Sequence, residues 1–199
     1  MLALTLRDVR RGYAGGGATL VVAFFLLVTI LFPFAIGPDA VVLAALLPVE
    51  RLGAPDLESG VLDQLRVRGM SLALVAAAKI VAHWIAFAPP LMLAAVIAAG
   101  LLDLSGATLA RVEIGLAIGT PGLAALAVTT GALVAGLRSG SAVAGLVMLP
   151  LAVPLLIFGA GALDPVGGAG AFKLLGAVSL VLVAGAPFVA GAAMRAGME

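Results

Sequence analysis

Long runs of apolar residues with few or no charged side chains limit what this chain can fold into. The first run extends from Ala18 to Ile36, and four later runs are about as long. A helix of about 20 apolar residues crosses the roughly 30 Å hydrocarbon core of a bilayer. Each run is therefore predicted to be a membrane-spanning helix. The four later runs are Ile80–Leu102, Val112–Leu137, Ala142–Leu163 and Lys173–Met194.

Composition excludes several classes of function. Of the 199 residues, 63% are hydrophobic and 11% are charged, whereas a soluble domain carries about 25% charged residues. A water-soluble enzyme is therefore ruled out. The net charge of +1 does not indicate a nucleic-acid partner, and the absence of cysteine excludes thiol catalysis and cysteine-based metal sites. We expect no catalytic residues, no metal site, and, without a phosphate-binding P-loop, no ATP hydrolysis by this chain.

A sixth apolar run, Ala40–Val49, holds only ten residues, which reach about 15 Å as a helix. If this run crosses the membrane, nine of the 11 Lys and Arg residues lie on one face of the membrane; if it does not, the division is six against five. Because basic residues concentrate on the cytoplasmic side, six crossings with both termini cytoplasmic are predicted. The fold class is thus an all-α, polytopic helical bundle with a short second span, forming a single transmembrane domain over residues 1–199.

Two short segments outside the predicted spans are amphipathic. Residues 1–13 are predicted to form an interfacial helix that leads into the first span, with its arginines facing anionic lipid. In residues 56–68, apolar side chains recur at helical spacing, with acidic residues in the first turn, basic ones in the last and Gly69 after it. This helix either rests on lipid headgroups or docks on a separate motor subunit. Its mixed polar face favours docking, through Leu57, Glu58, Gly60, Leu62, Asp63, Gln64, Leu65 and Arg66.

Single residues in the apolar runs offer little chemistry. His83, the only histidine, is a weak candidate for haem ligation and is more simply explained as a structural, hydrogen-bonded group. Its neighbours Lys79 and Trp84 are typical of side chains that anchor a helix end at the membrane interface. Glu113 is the only acidic residue within these runs, which argues against proton-coupled transport. The Gly115-x-x-x-Gly119 spacing is explained by chance and ordinary packing in a glycine-rich chain.

Five stretches, taken in order, resemble the haem-exporter B subunits of the CcmB family. The resemblance covers most of the chain and is carried by the order of the stretches more than by any one of them. They are Phe32-Pro-Phe-Ala-Ile-Gly-Pro38, Leu57-Glu-Ser-Gly-Val-Leu-Asp-Gln-Leu65, Ala78-Lys-Ile-Val-Ala-His-Trp84, Gly119-Thr-Pro-Gly122 and Leu149-Pro-Leu-Ala-Val-Pro-Leu-Leu-Ile-Phe-Gly-Ala-Gly161.

The resemblance implies a six-span permease of an ABC transporter in c-type cytochrome maturation. Its implied partners are a cytoplasmic ATPase (CcmA), the membrane proteins CcmC and CcmD, and the periplasmic haem chaperone CcmE, with two permease copies in the bacterial inner membrane. Haem is then a transported or handled ligand. One feature departs from the family, in which a full second span separates the Gly-Pro turn from the Glu-Arg pair. Here eleven residues separate Gly37-Pro38 from Glu50-Arg51.

Two other functions compete with this interpretation. An ABC-2-type permease for another lipid or drug-like substrate shares the architecture, and the order of the motifs argues against it. An intramembrane serine protease also has about six spans, but it needs a Gly-x-Ser-Gly sequence and a facing histidine. Ser139-Gly140 lacks the preceding glycine and lies in a predicted cytoplasmic loop.

Overall fold

The computed structural model describes residues 2–14, 70–134 and 140–197. Within these ranges the chain forms five helices and no strand, which confirms the all-α fold class. Three predicted segments lie outside the described residues: the first span Ala18–Ile36, the short run Ala40–Val49 and residues 56–68. The helices are α1 (Leu2–Ala14), α2 (Leu72–Leu101), α3 (Gly106–Val134), α4 (Gly140–Gly161) and α5 (Gly168–Ala196).

The described parts of the four later apolar runs are confirmed as helices. α2, α3 and α5 have 30, 29 and 29 residues and are apolar and long enough to cross a membrane. α4 has 22 residues, which span about 33 Å. Prolines lie inside all four, as membrane helices tolerate when neighbouring helices satisfy the freed backbone groups. These prolines are Pro89, Pro90, Pro121, Pro150, Pro154 and Pro187.

The turn between α2 and α3 uses local capping chemistry. Asp103 adopts a positive φ of 51°, a conformation that Asp tolerates better than most residues. The Leu104 amide then donates to the Ala99 carbonyl at 2.9 Å, which ends α2 in the manner of a Schellman motif. The Ser105 hydroxyl accepts from the Thr108 amide at 3.2 Å and caps the start of α3. The chain therefore reverses direction within four residues.

α3 is the central helix of the described bundle. It packs against α2, α4 and α5, while α5 also contacts α2 and α4. Between Gly119 and Val134 every residue of α3 is buried except Pro121 and Leu133. α5, in contrast, exposes an apolar face of the kind that lipid covers, formed by Leu180, Val181, Phe188 and Val189. The apolar character of α3 thus serves packing between helices, and that of α5 serves packing and lipid contact.

The helix contacts define the direction of each helix. Gly115 lies beside Phe172 and Gly122 beside Ser179, so α3 and α5 run parallel. Gly191, near the end of α5, lies against the start of α2, so these two helices run antiparallel. The beginning of α2 and the end of α5 therefore share one end of the bundle. The predicted topology places residues 50–69 and Arg195 on one membrane face, in agreement with this arrangement.

Candidate functional site

The described structure resumes at Met70, two residues after the segment 56–68 that is predicted to dock on a motor subunit. Met70 packs against the hydrophobic core, and Leu72 is buried within it. The Ser71 hydroxyl accepts from the Leu74 amide at 3.3 Å, which caps α2 at its N-terminus. Only Gly69 separates residues 56–68 from this anchored turn in the sequence. The docking roles of Leu57 to Arg66 fall on residues outside the described ranges and stay predictions.

The first turn of α2 is fixed against α5 by a close backbone approach. A Cβ atom on Gly191 would lie 2.8 Å from the Ala73 nitrogen and 3.1 Å from its Cα atom. Both neighbours are backbone atoms, which cannot move aside as the end of a flexible side chain can. Small residues allow this kind of approach between membrane helices. Gly191 is thus required for α2 to begin where it does.

Lys79 is buried in α2 and pairs with Asp8 of α1. Its ammonium nitrogen lies 3.4 Å from Asp8 Oδ2, and Arg7 contacts the other carboxylate oxygen at 2.7 Å. The exposed fractions of the Lys79 and Asp8 side chains are 6% and 14%. Lys79 therefore joins two helices. Its predicted role as an interface anchor stays a prediction.

Trp84 also joins helices, through a polar contact with α3. Its indole Nε1 donates to the hydroxyl of buried Thr120 at 3.0 Å. Two residues further along α3, the Gly122 amide donates to the hydroxyl of Ser179 on α5, also at 3.0 Å. These four residues form what we call the α2–α3–α5 junction. Trp84 is half-exposed, and its anchor role at the membrane interface remains a prediction.

Sequence reasoning missed most of this junction. A Cβ atom on Gly122 would lie 3.0 Å from both Cα and Oγ of Ser179. Pro121 supplies no amide hydrogen, so the helix ladder is already interrupted beside this contact. The local signal for the junction is the Gly119-Thr-Pro-Gly122 stretch, which also contributes to the resemblance to the CcmB family. Gly115 and Gly119, whose spacing was attributed to chance and packing, face Phe172 and Leu175 of α5.

At the opposite end of the bundle, Arg111 organises the loop between α4 and α5. Its guanidinium donates to the Asp164 carbonyl at 2.8 Å and to the Pro165 carbonyl at 3.3 Å. Near it on α3, Glu113 has one buried carboxylate oxygen without a hydrogen bond to the described residues. Arg111 therefore has a structural role, because its two hydrogen bonds join the first turns of α3 to the loop between α4 and α5.

His83 packs against an aromatic ring in its own helix. The His83 and Phe87 ring centroids lie 5.0 Å apart, with the planes tilted by 42°. In the described part of the chain, no three His, Cys, Asp or Glu side chains are grouped so that they could hold a metal ion. Haem ligation by His83 stays a weak hypothesis.

Comparison with known proteins matches this helical chain to one family over nearly its whole length. The family model described as "CcmB protein" matches residues 1–197. The chain belongs to the CcmB family. The resemblance drawn from the five sequence stretches is therefore confirmed.

Several curated CcmB relatives carry the name "Heme exporter protein B". The Paracoccus denitrificans protein is 38% identical, with complete coverage of both chains. The Bradyrhizobium diazoefficiens protein is 36% identical, with 99% of this chain and 98% of the relative covered. The Escherichia coli K12 protein is 35% identical, with 88% of each chain covered. The similarity is therefore not confined to one part of the chain.

The alignments also bear on the length of this chain within the CcmB family. The alignment with the Paracoccus denitrificans protein has 219 positions and includes all 199 residues of this chain. The difference between 219 and 199 means that about 20 positions have no residue of this chain opposite them.

Proposed function

We propose that this CcmB-family chain is the membrane permease subunit of a haem export system that serves c-type cytochrome biogenesis. The observation that carries the proposal is the family match over residues 1–197, on a chain whose described part consists of apolar helices. The curated relatives are named as haem exporters. The chain either conducts haem across the membrane or transmits movement to partner proteins, and a partner subunit hydrolyses ATP.

The partner that supplies energy is a cytoplasmic ATPase of the CcmA type, docked on residues 56–68. The mixed charge of that segment and its position immediately before α2 support this role. CcmC and CcmD are the proposed membrane partners, the haem chaperone CcmE is the proposed recipient, and two permease copies complete the complex. If Ala40–Val49 crosses the membrane, nine of the 11 basic residues lie on one face, a division that supports an inner-membrane orientation with both termini cytoplasmic.

Closure of the ATPase on ATP pushes residues 56–68, and the displacement passes through the capped start of α2. From there it reaches α5 through the contact between Ala73 and Gly191. It reaches α3 through the α2–α3–α5 junction, where Trp84 holds Thr120. Because packed helix interfaces switch between discrete arrangements rather than deforming continuously, such a push can rearrange the bundle.

Mechanical coupling is favoured over direct conduction of haem through this chain. The only histidine lies against Phe87 in α2, and the buried half of the central helix α3 carries no charged side chain, while its buried threonine hydroxyls are already hydrogen-bonded to Trp84 or within the helix. The rearrangement would act on partner proteins and promote release of the haem-loaded chaperone. The alternative is that this chain itself handles haem, and the haem content of the purified complex distinguishes this alternative from mechanical coupling.

Complementation tests the proposed function. The gene is expressed in a bacterium that lacks its own CcmB protein, and c-type cytochromes are measured by haem staining of membrane proteins after electrophoresis. Restored cytochromes are the expected result. Unchanged cytochrome deficiency, with the chain and the host's partner subunits both present in the membrane, would contradict the proposal and favour another transported substrate.

A further inference from the structure

The N-terminal helix follows α2 along part of its length. Asp8 of α1 lies at Lys79 of α2, and five residues later the Tyr13 hydroxyl donates to the Ile85 carbonyl at 3.2 Å. Both helices therefore advance in the same direction between the two contacts. Leu4, one turn before Asp8, is buried in the hydrophobic core cluster that also contains residues of α2. α1 is thus joined to α2 along one face and not at a single point.

The ion pair within this contact resists separation. Lys79 is buried in an apolar helix, and Asp8 is largely buried and is also contacted by Arg7. Moving α1 away would leave charge in a low-dielectric environment without the opposite charge that now faces it. The pair therefore favours any movement in which α1 and α2 travel together over one in which they slide apart.

The other faces of α1 are suited to a lipid surface. Leu2 and Leu6 are exposed, with exposed fractions of 77% and 54%, and Arg10 and Arg11 are also exposed. Apolar residues combined with arginines are the composition of helices that bind the interface of a membrane containing anionic lipid. α1 thus has one face for α2 and others for lipid.

We propose that α1 and α2 form one rigid unit, held by the Asp8–Lys79 ion pair, so that a displacement of α2 also moves α1 relative to the lipid around it. The inference rests on the proposed function for the origin of the displacement, at residues 56–68. The union of the two helices itself rests only on the contacts between them. The N-terminal helix then has a mechanical role: α1 faces lipid and moves together with α2, the helix that follows the proposed ATPase-docking segment.

Distances between spin labels test the rigid unit, since the chain contains no cysteine to compete for labelling. Labels at Leu6→Cys and Leu74→Cys report on α1 and α2 from exposed positions outside the ion pair. In the full-length permease, Asp8→Asn should broaden the distance distribution between the labels. The control Asp103→Asn, in the turn at the far end of α2, should leave it unchanged. An Asp8→Asn distribution as narrow as the parent's overturns the assignment to the ion pair.

The complex with its ATPase separates this inference from the proposed function. The same two labels are measured without nucleotide and after trapping with ATP and vanadate, alongside a single label at Leu62→Cys. A rigid unit predicts one unchanged distance in both states, and a shift in that distance overturns the inference. A Leu62 label whose mobility does not respond to the ATPase instead contradicts docking on residues 56–68, whatever the distance does.

Discussion

α5 and α1 both pack against α2, but they do so by contacts of different kinds. α5 brings Gly191 against the backbone of Ala73, where no side-chain atom intervenes. α1 brings the carboxylate of Asp8 to the ammonium of Lys79. The contact with α5 requires a residue without a side chain at position 191, so no larger residue can replace Gly191 there. The contact with α1 depends on a matched pair and can be replaced by another matched pair, so substitutions should affect the two contacts differently.

The largest effect is expected at the glycine contact. Gly191→Leu should prevent α5 from reaching α2 and leave little folded permease, since even modest overpacking costs about 1–3 kcal/mol. The matched control is Gly185→Leu in the same helix, because a Cβ atom there meets nothing within 4 Å. Size-exclusion profiles of a fluorescently tagged permease in detergent measure the outcome. Equal monodisperse recovery of the two variants would contradict the close approach.

The ion pair should give a large effect that a second substitution reverses. Asp8→Leu should destabilise the permease by about 3 kcal/mol, because the buried Lys79 then loses the carboxylate that faced it, and Lys79→Met should cost less, because Asp8 keeps its contact with Arg7. The double variant should regain most of this loss, since an apolar pair can replace a buried ion pair. Thermal unfolding of all four proteins in detergent provides the test. Additive losses in the double variant would show that the two residues are not coupled.

Sequence reasoning succeeded where the signal is carried by consecutive residues of the chain. Four helices and their order followed from apolar length alone, because a membrane-spanning helix needs about 20 residues whatever its neighbours are. The family followed from ordered local stretches. The helix prediction is confirmed by the described helices, and the family prediction is confirmed by the match over residues 1–197.

What sequence reasoning missed depends on partners that are distant in the chain. α2 begins at Leu72, eight residues before the apolar run at Ile80, and Lys79 lies inside this helix, where Asp8 matches its charge. A charge read along the sequence marks the end of a span, whereas a paired charge can lie inside a helix. Likewise, Ser179 gave no local signal, since its role arises only where α5 meets the Gly122 amide.

The Trp84–Thr120 hydrogen bond should contribute less than either contact of α2. Trp84→Phe and Thr120→Val should each be mildly destabilising, with an interaction energy of about 1 kcal/mol in a double-mutant cycle, because hydrogen bonds between membrane helices are modest. Unfolding midpoints of the two single variants and the double variant measure it. A cycle that closes at zero would mean that the indole and the hydroxyl act independently at the α2–α3–α5 junction.

The smallest effect is expected at His83. His83→Gln should leave cytochrome maturation and unfolding nearly unchanged, since the imidazole packs beside the Phe87 ring and no hydrogen bond in the described part of the chain depends on it. Absorption in the Soret region, compared at matched protein concentration, measures any haem retained by the purified complex. Haem bound by the parent and lost in the variant would assign ligation to His83 and favour direct handling of haem over mechanical coupling.

Docking of the motor on residues 56–68 is tested most directly by recovery of the ATPase with the affinity-purified permease. Leu62→Asp places a charge in the predicted apolar contact, and Gly60→Pro interrupts the predicted helix at a cost of about 3 kcal/mol. The control Leu104→Asp makes the same chemical change in the turn between α2 and α3, at the other end of α2 from residues 56–68. We predict that Leu62→Asp and Gly60→Pro lose the ATPase while Leu104→Asp retains it, with all three permeases folded. Full recovery of the ATPase with both variants would contradict the account.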